Sequence, residues 1–137
     1  MWFVDTGYLI ALFSPKDAYH SQVLALQAQV QRERRRLLTV VFEVGAAFSR
    51  AAYRSVGQAI MHTLMHDVLI ETVPITPALR DKAFALFSQH QDNDWSLCDC
   101  ASFELMRERS VTQALAADHH FSQAGFTALL LQEAVKH

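Results

Sequence analysis

Four acidic residues stand where a hydrophobic run ends or where a helix is predicted to begin. They are spread along almost the whole chain, at Asp5, Glu43, Asp99 and Asp118. Because parallel strands bring their carboxyl ends to one edge of a sheet, acids that are far apart in sequence can meet there. Two like charges ~4 Å apart repel by about 4 kcal/mol at an effective dielectric constant of ~20, so clustered carboxylates must share protons or hold a cation. Hard divalent ions prefer oxygen ligands, which makes the four residues a candidate metal site.

The elements that would position these acids follow from the pattern of apolar residues. Short apolar runs predict five strands, and helical spacing between them predicts helices. The predicted strands are Trp2–Val4, Leu37–Val41, Ile70–Val73, Val111–Ala117 and Thr127–Leu131. Strands that alternate with helices predict an α/β fold, a three-layer α/β/α sandwich with a central, mainly parallel sheet of four or five strands.

The predicted helices fill the intervals between the strands. They are Tyr8–Phe13, Ala18–Arg36, Glu43–Tyr53, Val56–Leu69, a helix that begins at Pro77, Ser96–Arg109 and Phe121–Phe126. A proline at the start of a helix is tolerated because the first amide has no partner within the helix. The sequence shows no linker, repeat or low-complexity segment, so residues 1–137 are predicted to form a single domain.

Each acid also has an ordinary structural explanation as a helix cap. Asp5 and Asp118 fit an N-cap, and Ser96 with Asp99 fits a capping box. Glu43 suits the first turn of a helix, where a negative charge complements the helix dipole. Independent caps would be expected at both edges of the sheet, whereas all four acids map to the carboxyl edge. A shared site therefore explains the set better than four separate caps.

The composition is that of a folded protein inside a cell. Of the residues, 51% are hydrophobic and 19% are charged, and the formal net charge is -2, which leaves a local basic patch possible. The two cysteines, Cys98 and Cys100, are too close for an ordinary disulfide, which favours a reducing cytoplasm. Asp5 interrupts the first apolar run, and no apolar run reaches ~18 residues, so neither a signal peptide nor a membrane span is expected.

Several segments resemble the motifs of PIN domains, in order and in spacing. They are Val4-Asp5-Thr6-Gly7-Tyr8-Leu9, Phe42-Glu43, the stretch from Asp94 to Phe103, and Ala117-Asp118-His119-His120-Phe121. More narrowly, the chain resembles single-domain PIN toxins of the VapC type, the ribonuclease half of toxin–antitoxin pairs. The likeness covers essentially the full length. The stretch from Asp94 to Phe103, together with the segment that starts at Asp118, is its most specific part.

The resemblance implies a divalent-metal-dependent endoribonuclease. It implies that magnesium or manganese is bound by the catalytic acids Asp5, Glu43, Asp99 and Asp118. Thr6, Asp94 and Ser96 fall within the motifs and are expected to support the site by orienting a ligand or a water. Water is then the nucleophile, and cleavage is expected to leave a 3′-hydroxyl and a 5′-phosphate.

The same resemblance implies partners. They are an RNA substrate, a cognate antitoxin protein and a second copy of the chain in a homodimer, with no membrane. Candidate contacts to RNA phosphates are Arg50, Arg54, Arg80, Lys82, Arg107 and Arg109. Solvated surface positions are an equally good explanation for each of them, and the RNA target stays open.

Two other functions compete with this interpretation. In the first, a catalytically weak PIN-like module uses the acidic pocket to recognise a basic peptide or RNA. In the second, the chain is a phosphoacceptor or phosphatase domain, but Asp5-Thr6-Gly7 lacks the second aspartate of that signature. A direct RNA cleavage assay separates the first rival from the nuclease.

Histidines and cysteines offer weaker candidate sites. His62 and His66 have the spacing of a zinc pair, but Thr63 stands where that motif needs glutamate. His119 and His120 follow Asp118 directly, and because neighbouring helical residues diverge, at most one is expected to face the acids. A surface or packing role is predicted for both, and a packing role for Cys98 and Cys100.

Overall fold

The computed structural model describes residues 1–40 and 54–133. These residues form a five-stranded parallel sheet with the order β3-β2-β1-β4-β5. Its strands are β1 (Trp2–Val4), β2 (Leu37–Val40), β3 (Ile70–Val73), β4 (Gln113–Leu115) and β5 (Thr127–Ala128). The predicted α/β class and parallel sheet are confirmed. The predicted helix Glu43–Tyr53, and Glu43 itself, lie outside the described residues.

Seven helices accompany the sheet within the described ranges. They are α1 (Thr6–Phe13), α2 (His20–Glu33), α3 (Arg54–His66), α4 (Pro77–Gln89), α5 (Leu97–Glu108), α6 (His119–Gln123) and α7 (Leu129–Glu133). Thr76 caps α4 by accepting a hydrogen bond from the Leu79 amide, and Pro77 follows at the first helical position, as predicted. None of these helices combines the length and the apolar character needed to cross a membrane.

Two hydrophobic cores, one on each face of the sheet, make the sandwich three layers thick. In β1, Phe3 belongs to the core that α4 and α5 cover, whereas Trp2 and Val4 belong to the core that α1, α2 and α3 cover. Side chains alternate between the faces of a strand, so a strand covered on both sides is buried throughout. Each residue of β1 and β2 is buried accordingly.

The last predicted strand is shorter than expected. β5 ends at Ala128, after pairing with Gln113 and Ala114 of β4, and Leu129 begins a helix. A short apolar run fits a buried strand or a buried helix equally well, so its periodicity does not decide between them. The helix turns Leu129 and Leu130 into the core beside α2, where both are buried.

The strand order creates a reversal point at β1. The chain moves from β1 outward to β2 and β3, and then returns to the other side of β1 with β4 and β5. In open parallel sheets, a crevice forms at the carboxyl edge where the order reverses, and ligands bind there. Asp5 directly follows β1, and Asp118 follows β4 by three residues. The two neighbouring strands on either side of the crevice therefore carry these acids.

Candidate active site

Asp5 lies at the junction of β1 and α1. Its amide donates to the Leu115 carbonyl at the end of β4 (3.3 Å). The buried Thr39 hydroxyl of β2 donates to the carbonyl of Val4 (2.9 Å), which fixes the preceding residue. β4 therefore holds the Asp5 backbone directly, and β2 holds the residue before it, so the sheet sets the position of Asp5.

The Asp5 carboxylate is in an environment that disfavours its charge. Partial burial, followed by repulsion from Asp118 and then from Asp99, raises its pKa from 3.8 to about 6. The amides of Thr6 and Gly7 act in the opposite direction, but in the described structure neither makes a capping hydrogen bond to the side chain. Gly7 lies close beneath the carboxylate, since a Cβ at this position would be 3.3 Å from Asp5 Oδ2.

Asp99 lies in the first turn of α5, within a capping box. The Ser96 hydroxyl accepts from the Asp99 amide (3.0 Å), and Asp99 Oδ2 accepts from the Ser96 amide (3.0 Å). The capping interpretation of this pair is therefore correct as local structure. It also fixes the carboxylate at the edge that Asp5 occupies, so capping and membership of the cluster are compatible.

Asp118 caps α6 in a similar way. Its Oδ1 accepts from the amide of His120 (2.9 Å), so the side chain turns back over the start of the helix. The carboxylate stays about one third exposed, at 35%. A capped but accessible carboxylate keeps lone pairs for a further ligand.

His120 connects the two capped acids. Its Nδ1 lies 3.1 Å from Asp99 Oδ2 and 3.2 Å from Asp118 Oδ1. The side chain is 17% exposed, compared with 70% for His119. The prediction of a surface or packing role was therefore wrong for His120, which faces the acids. The Asp118-x-His120 spacing was the available signal, because a capping aspartate accepts from the amide two residues later.

Two cavities meet at Asp5. The smaller, the Asp99 cavity, has a volume of about 90 Å³ and is lined by Asp5, Thr6, Thr39, Cys98, Asp99 and Ser102 among others. The larger, the Tyr19 cavity, has a volume of about 320 Å³ and is lined by Asp5, Asp17, Tyr19, Ala117, Asp118 and Leu130, with Gly7 at its edge. Asp5 lines both cavities, which makes it the central acid of the described cluster.

The predicted supporting residues have different placements. Thr6 lines the Asp99 cavity, and Ser96 holds Asp99 through the capping box. Asp94 is exposed in the loop before α5 and, within the described part of the chain, lines neither cavity. The structure therefore brings Asp5, Asp99, Asp118, Thr6 and Ser96 to one edge but gives Asp94 no comparable position.

Three of the predicted RNA contacts lie far from the acids. Helix α5 starts beside Asp99 and has 12 residues, so its other end is ~18 Å away. At that distant end Arg109 pairs with Glu71 (2.6 Å), and Lys82 of α4 pairs with Glu108 (2.7 Å). Arg107 belongs to the same end of α5. These three basic residues are therefore too far from the acids to contact RNA phosphates at the acidic edge.

The remaining weak candidates are resolved in part. His62 and His66 stack with ring centroids 4.3 Å apart on the exposed side of α3, and His66 Nδ1 contacts the His62 carbonyl. Among the described residues, Asp118, His119 and His120 form a group of metal-ligand types whose ligand atoms all lie within 4.8 Å of one another. Cys100 is buried, whereas Cys98 is exposed at the mouth of the Asp99 cavity, so the packing role predicted for Cys98 was wrong.

Comparison with known proteins gives this geometry a family. No family model matches the chain. The chain is 31% identical over 130 residues to the 23S rRNA-specific endonuclease VapC20 of two Mycobacterium tuberculosis strains, and the match covers 92% of this chain and 95% of VapC20. The chain belongs to the VapC family of PIN-domain toxins. The crystal structure of M. tuberculosis VapC20, described as a sarcin-ricin loop cleaving toxin, superposes with a TM-score of 0.81 at 25% identity, covering 93% of this chain and 98% of that one.

VapC membership confirms the predicted family, fold and broad function. The chain is the ribonuclease toxin of a toxin–antitoxin pair. The phosphoacceptor alternative is set aside, because neither the relative nor the structural match is of that class.

Proposed function

We propose that this VapC protein is a magnesium- or manganese-dependent endoribonuclease whose ion is held by Asp5, Asp99 and Asp118. Glu43 is included as the fourth acid on the strength of the family motif. The observation that carries the proposal is the Asp5 carboxylate, which reaches the crevice with a raised pKa and no capping hydrogen bond among the described residues. An uncapped carboxylate beside two further acids is stabilised most effectively by a cation.

The donor types suit a hard divalent ion. They are carboxylate oxygens from three separate segments, and Thr6 lines the Asp99 cavity together with Asp5 and Asp99. A divalent ion at such a site supplies a more acidic bound water and offsets negative charge at the phosphate.

The chain's own residues position this chemistry. Ser96 and His120 hold Asp99 from two sides, and the His120 amide holds Asp118, so both carboxylates keep a fixed direction. The partly buried Asp5, once ionised, is available to orient or accept a proton from the attacking water. The nucleophile in this proposal is water, and the expected products carry a 3′-hydroxyl and a 5′-phosphate.

The proposed target is ribosomal RNA. VapC20, the relative matched over nearly its full length, is named for cleavage of 23S rRNA. We extend that substrate class to this chain, together with a cytoplasmic location, a cognate antitoxin and a homodimer. The exposed Phe84 and Phe87 on α4 offer apolar surface to protein partners.

A cleavage assay with controlled metal tests this proposal. The purified toxin is incubated with ribosomes in EDTA and then with excess manganese, and RNA ends are mapped by sequencing. We expect new 23S rRNA ends with manganese and none in EDTA. Asp5→Asn should lower the rate by more than about 100-fold. Asp81→Asn, which removes an exposed carboxylate on α4, is the matched control and should cleave normally.

Two results would count against the proposal. Undiminished cleavage in EDTA would show chemistry that needs no metal. Tight binding of RNA or a basic peptide without any cleavage would favour the catalytically weak binding module. One observation gives that rival a physical basis, because the His120 imidazole lies within hydrogen-bond distance of both Asp99 and Asp118, as a donor group of a basic partner would.

A further inference from the structure

The Tyr19 cavity adjoins the acidic cluster but takes no part in the chemistry described above. It shares Asp5 and Asp118 with the cluster and extends away from them to the loop between α1 and α2. Its volume of about 320 Å³ lies at the lower end of the range of small-molecule sites. Whatever occupies it lies directly beside the phosphate that these acids would act on.

The far wall of the cavity combines an aromatic ring with apolar surface. Tyr19 is half-buried and packs against the core under α1 and α2, and Leu130 is buried on α7. Ala117 continues the apolar lining from the end of β4. Flat, apolar and aromatic surfaces suit a nucleobase, because single-stranded RNA is recognised mainly by stacking splayed bases on aromatic side chains.

The loop that carries this wall is fixed in place. The Tyr19 amide donates to Asp17 Oδ1 (2.9 Å), and the Asp17 amide donates to the Ser14 carbonyl (2.9 Å). His20 Nδ1 lies 2.7 Å from the Ala11 carbonyl, which ties the start of α2 to α1. Gln22 of α2 donates to the Leu130 carbonyl, which ties α2 to the opposite wall. The cavity is therefore largely formed before a ligand arrives.

Asp17 gives the cavity a polar group that can recognise a base by hydrogen bonding. Its Oδ1 accepts from the Tyr19 amide, while Oδ2 makes no hydrogen bond to any residue of ranges 1–40 and 54–133. An ionised carboxylate only accepts hydrogen bonds, and it can accept two side by side. Guanine alone presents adjacent N–H donors on its Watson–Crick edge, at N1 and N2. Uracil presents one N–H between two carbonyl oxygens, which a carboxylate repels.

We propose that the Tyr19 cavity binds the nucleobase next to the cleaved phosphate, with Tyr19 stacking on the base and Asp17 selecting guanine. The proposal rests on the ribonuclease function, since RNA brought to Asp5 and Asp118 must place an adjacent nucleotide in or beside this cavity. A phosphate does not suit the cavity, because three aspartates line it. An uncharged base with paired donors satisfies both the acids and the apolar wall.

A cleavage-preference assay tests whether the Tyr19 cavity selects the base next to the cleaved bond. Short RNAs with all four bases at each position around the cleaved bond are digested with the full-length toxin in manganese, and product ends are sequenced. We expect wild type to favour guanine at one flanking position by roughly 5- to 150-fold, the range of one good bidentate contact. Asp17→Asn, whose amide pairs one donor with one acceptor, should lose that preference and gain adenine or cytosine. Tyr19→Leu should raise KM for every base, and Tyr19→Phe should restore it.

Nucleosides test the cavity independently of catalysis, because they carry the base without a phosphate. Guanosine and uridine are titrated into the wild-type protein in EDTA while the amide signals of Gly7, Tyr19 and Ala117 are followed by NMR. Guanosine should shift these signals at lower concentration than uridine, and Asp17→Asn should abolish the difference. Met65→Leu, which changes an exposed apolar residue on α3, is the control and should leave guanosine binding unaltered.

The outcomes separate this inference from the nuclease assignment. Absence of RNA cleavage with intact guanosine selectivity would contradict the proposed nuclease activity but support the base-binding site. Cleavage whose base preference is unchanged in Asp17→Asn would overturn the base site and keep the nuclease. Loss of antitoxin binding in Tyr19→Leu, with RNA preference and KM intact, would assign the cavity to a protein partner and overturn the inference as well.

Discussion

The starts of α1 and α5 each carry an aspartate, yet the two carboxylates are in different situations. Asp99 accepts from the Ser96 amide at 3.0 Å and lies 3.1 Å from His120 Nδ1. Asp5 makes no capping hydrogen bond within the described structure, and its pKa is raised to about 6 by burial, Asp118 and Asp99. Local helix capping is therefore sufficient to explain Asp99 but not Asp5. The comparison shows that Asp5 is the residue whose position is costly without a ligand.

Replacement of Asp5 is expected to change the stability of the fold more than replacement of the capped acids' neighbours. Its folded pKa is about 6 against 3.8 for the ordinary carboxyl, so the metal-free fold has its full stability below about pH 4 and loses stability as the pH rises through about 6. Two pKa units correspond to about 3 kcal/mol. Asp5→Asn should therefore stabilise the metal-free protein at pH 7.5 and have little effect at pH 4.

Urea unfolding in EDTA at the two pH values measures this effect. The difference between wild type and Asp5→Asn isolates Asp5 from the other titrating groups. An equal free energy of unfolding for both proteins at pH 7.5 would mean that Asp5 is not destabilised by its surroundings. Asp5 and Asp99 would then not differ in how well their surroundings stabilise the carboxylate.

A smaller effect, on metal affinity, is expected from replacement of His120, which contacts both capped acids. His120→Gln keeps a polar side chain but loses the imidazole that contacts both Asp99 and Asp118. Residues that orient metal ligands typically contribute 10- to 100-fold to affinity, so manganese binding should weaken by about 10-fold or more. Titration calorimetry checks this. Tighter binding in His120→Gln would instead show that the imidazole competes with the ion.

The smallest expected effect concerns the capping box itself. Ser96→Ala removes the hydroxyl that accepts from the Asp99 amide, which should cost about 1 kcal/mol of stability. His120 still holds the Asp99 carboxylate, so cleavage should fall by less than about 10-fold. Urea unfolding and initial cleavage rates give the two values. A large loss of activity with unchanged stability would show that Ser96 acts in catalysis rather than in helix capping.

The strands of the sheet, and the positions of the acids at strand ends and helix starts, could be predicted because both depend on short-range sequence patterns. Apolar runs bounded by turns located all five strands, and the parallel topology follows from the helices between them. The run from Leu129 to Leu131 failed because three leucines fit a strand or a helix equally well. Its outcome depends on the space beside α2, which only the folded chain defines.

The rest of the site could not be predicted because it depends on distances across the fold. His120 contacts Asp99 from 21 residues away, and the Asp118-x-His120 spacing places His120 at the start of α6 without indicating that Asp99 lies beside it. Arg107 and Arg109 looked suitable for RNA until the direction of α5 placed them at its far end. Asp17 and Tyr19 were not identified as candidate site residues, because their role depends on the cavity that they line, which the sequence does not show.

We propose that Asp5 anchors a divalent ion in the crevice between β1 and β4. Anomalous diffraction from crystals grown with manganese locates the ion, and the Asp5→Asn protein is the matched control. We predict a manganese peak about 2 Å from an Asp5 oxygen and within reach of Asp99 or Asp118 in wild type, and a weak or absent peak in the variant. A strong peak elsewhere, or the same peak in Asp5→Asn, would contradict the account.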